Sequence, residues 1–325
     1  MKYLKKEQAI IVLGMHRSGT SALSGVLSEM NVFMGSDLYA AQKNVNEKGF
    51  FENAKIVDLN EELFDLLFSS WDDPLGYQLD FTETEAISRL KRKAVKLIKK
   101  DYSSKLLWGI KDPRVSILLP FWLSVFSELS IKLSYIIMVR HPLEVYRSLL
   151  KRDGFSETKS LMLWLNYTLT CLKYCKNSDY QIIMYDDLMS NSSMTIDKLV
   201  GNIDMGLLEN VGTATQFISS DLRNHSVEFE NNLYDNEVIQ LSKELYSLLG
   251  QENIDYGKVD EINNKYLQYT KRFKGVLSEH LELVKRSEVI YKNFYFNAYN
   301  SLWWKIAWPL KKIEHAIIHL LSGDK

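Results

Sequence analysis

Residues 10–27, IIVLGMHRSGTSALSGVL, decide how this chain is read. Four apolar residues run into Gly14. Gly14 and Gly19 stand at the G-x-x-x-x-G spacing of a phosphate-binding loop, which Ser21 closes. The pattern predicts a buried strand over 9–13, a tight turn, and a helix over 20–30. A glycine loop at a helix start presents unpaired N–H groups and the positive end of the helix dipole. The backbone from Met15 to Ser21 can therefore cradle a phosphate whatever its side chains are. The side chains say which ligand suits it. A nucleotide triphosphatase carries a lysine directly after the second glycine; here that position is Thr20, and the cation inside the loop is Arg17. A triphosphatase also needs a carboxylate for Mg²⁺, yet the apolar run YIIMV at 135–139 ends in Arg140. An arginine there repels a divalent cation and attracts a second phosphate. The loop is read as the cradle of a metal-free anionic ligand with two separate phosphate groups.

Working outward, LLWGIKDPR (106–114), LSYIIMVRHP (133–142) and YQIIMYDDL (180–188) predict further strands that end in polar turns. Helices are predicted over 56–68, over 84–100 with a basic face, and over 143–152, whose first turn Pro142 suits. Residues 40–53 read as a polar loop and the chain beyond about 235 as helical. Apolar strands alternating with helices specify an α/β fold, a parallel β-sheet flanked by helices. Ligands of such sheets sit at the carboxyl ends of strands, where 14–21, 111–114, Arg140 and Tyr185 fall. The expected organisation is a phosphate-loop domain over 1–265 and a helical, Trp- and Lys-rich amphipathic extension over 266–325. With 325 residues, 46% of them hydrophobic and 25% charged, the chain has an ordinary globular composition. Its formal net charge of -1 argues against a nucleic-acid partner. Cys171 and Cys175 lie four apart in a predicted helix and read as core. The apolar run before Gly14 is too short for a signal sequence, and no run of about 18 apolar residues exists to span a membrane. The expected location is the cytoplasm.

Five motifs, in order along the chain, carry a resemblance: GMHRSGTS, KGFFENAKIVDLN, WGIKDPRVSILLPFW, VRHPLEVYRSLLKR and YDDL. They resemble those of sulfotransferases that use 3′-phosphoadenosine 5′-phosphosulfate (PAPS), bacterial members in particular, over roughly residues 8–225. The resemblance implies a P-loop sulfotransferase-like core, PAPS as sulfuryl donor, 3′,5′-ADP (PAP) as product, and no required metal. It places Gly14, Arg17, Ser18, Gly19, Thr20 and Ser21 on the 5′-phosphosulfate, Arg140 and Ser148 on the 3′-phosphate, and Tyr185 on the adenosine. Arg223, with His225 in DLRNHS, falls where family members close a lid over the nucleotide.

Arg17 stands where the cytosolic members carry a loop lysine. It is expected at the transferring sulfuryl group, where charge builds up, or more simply on the 5′-phosphate. Ser21 is expected on the ligand, or as a hydroxyl bonding its own helix start. A base must take the acceptor proton. Glu52, between apolar neighbours Phe50 and Phe51 that would raise its pKa, is the first candidate, with a plain helix-start carboxylate as the other reading. His16 is the rival base. Lys111 is expected to bind sulfuryl oxygens, Asp112 and Arg114 to form a structural pair, Arg147 to be solvated or paired, and His141 to cap a strand end.

The segment YNSLWWKIAWPLKKIEHAIIHLLSGDK combines tryptophans and lysines with an apolar face of Leu310, Ile313, Ile317, Leu320 and Leu321. SLWWKIAWPLKK also resembles the S-x-S-W-x-x-T-x-P-L-R segment of bacterial enzymes of surface-polysaccharide assembly, with Trp303, Ala307 and Lys311 departing from it. His315 and His319 share a face but lack a third ligand. The expectations are a sulfotransferase acting on a carbohydrate or glycolipid acceptor, with peripheral contact through residues 300–322 to the inner face of the cytoplasmic membrane. Docking of the extension on the domain or on another subunit, and homo-oligomerisation, are left open. The alternatives are a P-loop kinase using ATP and Mg²⁺ on Asp112 or Asp186, or a non-catalytic nucleotide-binding scaffold.

Overall fold

All six residues of QAIIVL are buried, and they form the strand β1 (Gln8–Leu13) between two parallel neighbours. A parallel strand covered on both faces reads as an unbroken apolar run, which is why 9–13 was recognisable. The structure, a computed structural model, describes residues 7–39, 49–77, 79–129, 131–201, 208, 210–218, 237–307 and 310. Its sheet adds β2 (Leu107–Lys111), β3 (Lys132–Val139) and β4 (Tyr180–Met184) in the order β2-β1-β3-β4, every pairing parallel. Alternate side chains of β1 enter different cores. Ala9, Ile11 and Leu13 pack with the residues of α2 (Ala54–Leu66), α3 (Glu85–Tyr102), α5 (Leu119–Phe126) and α7 (Glu157–Cys175). Ile10 and Val12 pack with α1 (Thr20–Glu29) and α9 (Ser192–Val200), and a 3₁₀ turn (Val211–Phe217) adds Ala214. Cys171 and Cys175 are both in the first core, and burial pushes the Cys171 thiol up to about 12.

Two elements differ from the sequence reading. KDPR turns directly into a short helix, α4 (Pro113–Ile117), because the Asp112 side chain accepts from Arg114 N–H and Pro113 occupies the first helical position. YDDL is the first turn of α8 (Tyr185–Ser190), so the strand ends at Met184. After β3, Pro142 opens α6 (Pro142–Asp153). Past residue 237 come α10 (Glu237–Leu249) and α11 (Tyr256–Asn300).

The chain divides into two compact units, Met1–Arg272 and Phe273–Lys325. In the first, Val259, Ile262 and Tyr266 of α11 belong to the main core, and the Tyr266 hydroxyl donates to Asn166 Oδ1 at 2.6 Å. In the second, helix continues to Asn300 and resumes over 302–307. Its described side chains are mostly exposed. No helix among the described residues is long and apolar enough to cross a membrane.

Candidate functional site

The chain runs on from β1 to β2 on one side and from β3 to β4 on the other, so the connections diverge between the carboxyl ends of the neighbours β1 and β3, where sheets of this kind open a crevice. The glycine loop fills that crevice. Gly14 has φ +142°, and a Cβ on it would stand 2.5 Å from the Met138 carbonyl oxygen. Its N–H donates to Ser116 Oγ (2.9 Å), and the Ser116 hydroxyl donates back to the Gly14 carbonyl (3.3 Å). Gly19, φ +91°, is the N-cap of α1, and a Cβ there would lie 2.3 Å from the Tyr185 ring. No side chain among the described residues caps this helix, which leaves the N–H groups of its first turn for a ligand. That bare first turn and the close glycine approaches fit a phosphate-bearing ligand.

On the β2 side of the loop, Lys111 ends its strand almost wholly buried. Its Nζ donates to Ser21 Oγ (3.1 Å), to the Phe50 carbonyl (2.9 Å) and to Glu52 Oε1 (2.6 Å). Ser21 thus serves a neighbouring cation instead of capping its own helix. Glu52 Oε2 also lies 3.7 Å from Arg114. Burial holds the Glu52 pKa above its ordinary value, against the downward pull of Lys111. Glu52 directly precedes Asn53, the N-cap of α2, whose side chain accepts from Lys55 N–H. Arg114 bonds Glu61 (2.5 Å) and Asp112 (3.0 Å). Burial alone would lower its pKa, but Asp112, Glu61 and Glu52 outweigh that and raise it. Asp112 also accepts from Asn60 (2.8 Å), whose carbonyl is fixed by the Trp122 indole (2.9 Å). Asp112 and Arg114 are therefore a structural brace beneath Lys111.

On the β3 side, Arg140 Nε bonds Glu144 Oε2 (2.7 Å), one NH group reaches the Arg17 carbonyl (3.2 Å), and the guanidinium stacks 4.3 Å from the Tyr185 ring centre. Trp164 donates to the Arg140 carbonyl (3.0 Å). Ser148 lies in α6 within reach: its Oγ accepts from Arg17 Nε at 2.7 Å. Arg17, whose backbone is left-handed (φ +68°) and whose carbonyl accepts from Arg140, thus bonds the serine assigned to the 3′-phosphate. Burial, then the charges of Arg152 and Arg140, lower the Arg17 pKa. Arg147 is exposed. His141 occupies the N-cap position of α6 without a side-chain cap bond, and its ring stands edge-on to Tyr246.

His16 lies against the Trp71 ring at 4.5 Å, with Tyr167 edge-on at 6.1 Å. Its Nε2 is buried with no hydrogen-bond partner among the described residues. Burial, then the charges of Arg114, Arg152, Lys111 and Arg17, hold its pKa well below the ordinary 6.5, so the ring is neutral. Ser18 and Thr20 are buried in the loop. The structure thus gathers Gly14, Ser18, Gly19 and Thr20 in one loop, Ser21, Glu52 and Lys111 on one side of it, and Arg17, Arg140, Ser148 and Tyr185 on the other. Arg223, His225, His315, His319 and residues 311–325 lie outside the described residues. Ser116, Asn60 and Trp71 escaped the sequence reading: the Gly14–Ser116 contact joins residues 102 apart, and no local pattern announces it. Among the described residues no three His, Cys, Asp or Glu side chains are grouped as ligands of a metal ion.

No protein-family model matches this chain, and no curated protein sequence matches it. Among solved structures it is similar to the sulfotransferase domain of the olefin synthase of Synechococcus PCC 7002, at 15% identity and TM-score 0.40, over 84% of this chain and 96% of that one. It is also similar to the sulfotransferase domain of the curacin biosynthetic pathway, at 14% identity and TM-score 0.39, over 68% of this chain and 81% of that one. A third similar structure is the sulfotransferase STF9 of Mycobacterium avium, at 14% identity and TM-score 0.41, over 81% of this chain and 76% of that one.

Proposed function

We propose that this chain is a sulfotransferase that moves a sulfuryl group from PAPS to an acceptor hydroxyl. The observation that carries the reading is the position of Lys111. The loop lacks its own lysine, and β2 supplies one whose ammonium touches both the loop hydroxyl of Ser21 and the carboxylate of Glu52. A fixed cation and a buried base thereby meet at one point beside the phosphate cradle.

The donor, when bound, supplies an activated sulfur. The chain's own groups do the rest. Lys111 faces the place where negative charge develops on oxygen as the sulfur changes partners, the term that fixed cations stabilise best. Glu52, made more basic by burial, takes the acceptor proton. His16, neutral and with an unpartnered buried Nε2, is the second candidate for that proton. Arg140, Ser148 and Arg17 form the second anion subsite, which suits the 3′-phosphate. The Arg140 stack on Tyr185 and its bond to Glu144 hold the guanidinium at the edge of the loop. No metal enters this reading. The acceptor fits a sugar hydroxyl on a surface glycan or glycolipid, in keeping with the composition of the C-terminal extension. The kinase reading is weaker on two named residues. Asp112 is bonded to Asn60 and Arg114, and Asp186 accepts from the Tyr246 hydroxyl at 3.2 Å.

The test is thermal stabilisation of the purified protein by 3′,5′-ADP without metal, beside ATP with Mg²⁺. A ligand that binds only the folded form adds RT ln(1 + [L]/Kd), about 2.7 kcal/mol at a hundred times Kd. Stabilisation by 3′,5′-ADP that is lost in Arg140→Ala is the expected result. Stabilisation by ATP with Mg²⁺ alone would hand the site to a kinase, and none by either nucleotide would sink both enzyme readings.

A further inference from the structure

We propose that the segment from residue 291 to 310 seats this protein on the surface of an anionic lipid bilayer. Eight of the 18 residues over 291–308 are aromatic, against 12% in the chain as a whole. Six of them, Tyr291, Phe294, Tyr295, Phe296, Tyr299 and Trp303, are exposed, Trp303 at 80% and Tyr291 and Phe294 each at 72%. Leu302, Ile306 and Leu310 extend the exposed apolar surface. A water-soluble surface does not ordinarily present so many large apolar groups in one run.

The shape of this surface distinguishes lipid from a protein partner. Phe294, Tyr295 and Phe296 are consecutive and all exposed, and consecutive helical residues point about 100° apart. The aromatic surface therefore wraps more than half of the helix. A second helix covers only a narrow stripe of its partner, at positions spaced three and four apart, with polar residues beside it. A fluid apolar medium can meet a broad band. The residue types point the same way. Tyr295 and Tyr299 stack at 6.1 Å, and Tyr299 continues to Trp304 at 6.3 Å. Tyrosine and tryptophan, with an apolar body and a polar tip, favour the headgroup level.

Charge selects the kind of lipid. Over 289–313 the sequence contains Lys292, Lys305, Lys311 and Lys312 and no aspartate or glutamate. A chain that is close to neutral overall has placed an uninterrupted basic stretch within its most aromatic segment. Basic side chains beside a buried apolar face bind anionic headgroups, and together they anchor a helix in the plane of the interface. The helix lies on the membrane, since none among the described residues is apolar enough to cross it.

Flotation of the full-length protein with vesicles tests this. Vesicles of phosphatidylcholine mixed with phosphatidylglycerol are compared with phosphatidylcholine alone. The expected result is co-flotation with the mixed vesicles, weakened by salt and lost in the double variant Phe294→Ser/Trp303→Ser. Reversing two charges, in Lys292→Glu/Lys305→Glu, should weaken binding at least about tenfold. All four side chains are exposed, so both variants should melt as the parent does. The charge pair, which removes no apolar surface, keeps the test sound if the serine variant melts lower. Equal binding to both vesicle types would overturn the anionic-surface assignment, and failure to float with either would overturn the proposal. A protein that does not float but sediments as a dimer, and dissociates in the serine variant, would show that a second copy covers the segment.

Discussion

Lys111 and Glu52 share one buried ion pair, in which the ammonium favours the Glu52 carboxylate against the cost of burial. Lys111→Met would leave Glu52 with Arg114 at 3.7 Å and Ser21 without its donor. The expected loss is about 10²–10³-fold in kcat, the size found when one preorganised charge-stabilising donor is removed. 3′,5′-ADP should bind Lys111→Met with little change, because Arg140, Ser148 and the loop N–H groups remain. The pH profile separates the two candidate bases. Burial puts the Glu52 pKa above the ordinary 4.5, so kcat should rise as pH climbs through that raised value. In Lys111→Met the limb should move higher, because the cation favouring the carboxylate has gone. Glu52→Gln should abolish the limb and most of the rate. A limb that persists in Glu52→Gln would transfer the role to His16. The same groups bear on stability with opposite signs. Between the ordinary and the raised pKa of Glu52 the folded state keeps a proton that the unfolded chain loses, so its contribution to stability declines as pH rises through that window. His16 is held neutral, so its contribution is full above 6.5 and declines as pH falls from there toward its lowered pKa.

At the scale of elements, the start of α2 is what carries Glu52 to the loop. Asn53 caps that helix through Oδ1 and reaches Tyr102 in α3 through Nδ2 at 3.2 Å. Asn53→Ala removes the cap and leaves the buried Tyr102 hydroxyl with only the Met34 carbonyl at 3.4 Å. A loss of about 2 kcal/mol is expected from the urea midpoint, with a fall in kcat because Glu52 is the next residue. Elements of this kind differ in how far their sequence announces them. QAIIVL is legible because both faces of a central strand are apolar, and α6 is legible because Pro142 opens it after an unbroken strand. The five-residue α4 and six-residue α8 are too short for a helical period to show, so KDPR and YDDL read as strand exits. At the site, residue types were legible and pairings were not. Arg17 bonds Ser148, 131 residues away, and its left-handed φ goes with a carbonyl that accepts from Arg140; none of this is written in the local pattern.

For the whole molecule, the division at Arg272 makes a truncation informative. A chain of residues 1–272 keeps Val259, Ile262 and Tyr266 in the core and should melt like the full chain and still be stabilised by 3′,5′-ADP, while losing vesicle binding. A chain of residues 1–265 stops one residue short of Tyr266. It should lose at least the ~3–5 kcal/mol of deleting one buried aromatic, together with the bonds Tyr266 makes to Asn166 and Met162. Equal melting of the two would show that residues 266–272 of α11 are dispensable to the first unit. The strand order has a consequence of another kind, for how the protein is made. β1 leaves the ribosome before the other three strands of the described sheet and lies in its interior, yet its partners begin only at residues 107 and 132. Until both have emerged, the nascent chain carries an apolar ribbon with two open edges, the form most prone to pair with a neighbouring chain. The strand that holds the site in place is synthesised ahead of its partners and finds the last of them late. Its safe passage depends on the pace of translation and on whatever shields the emerging strand.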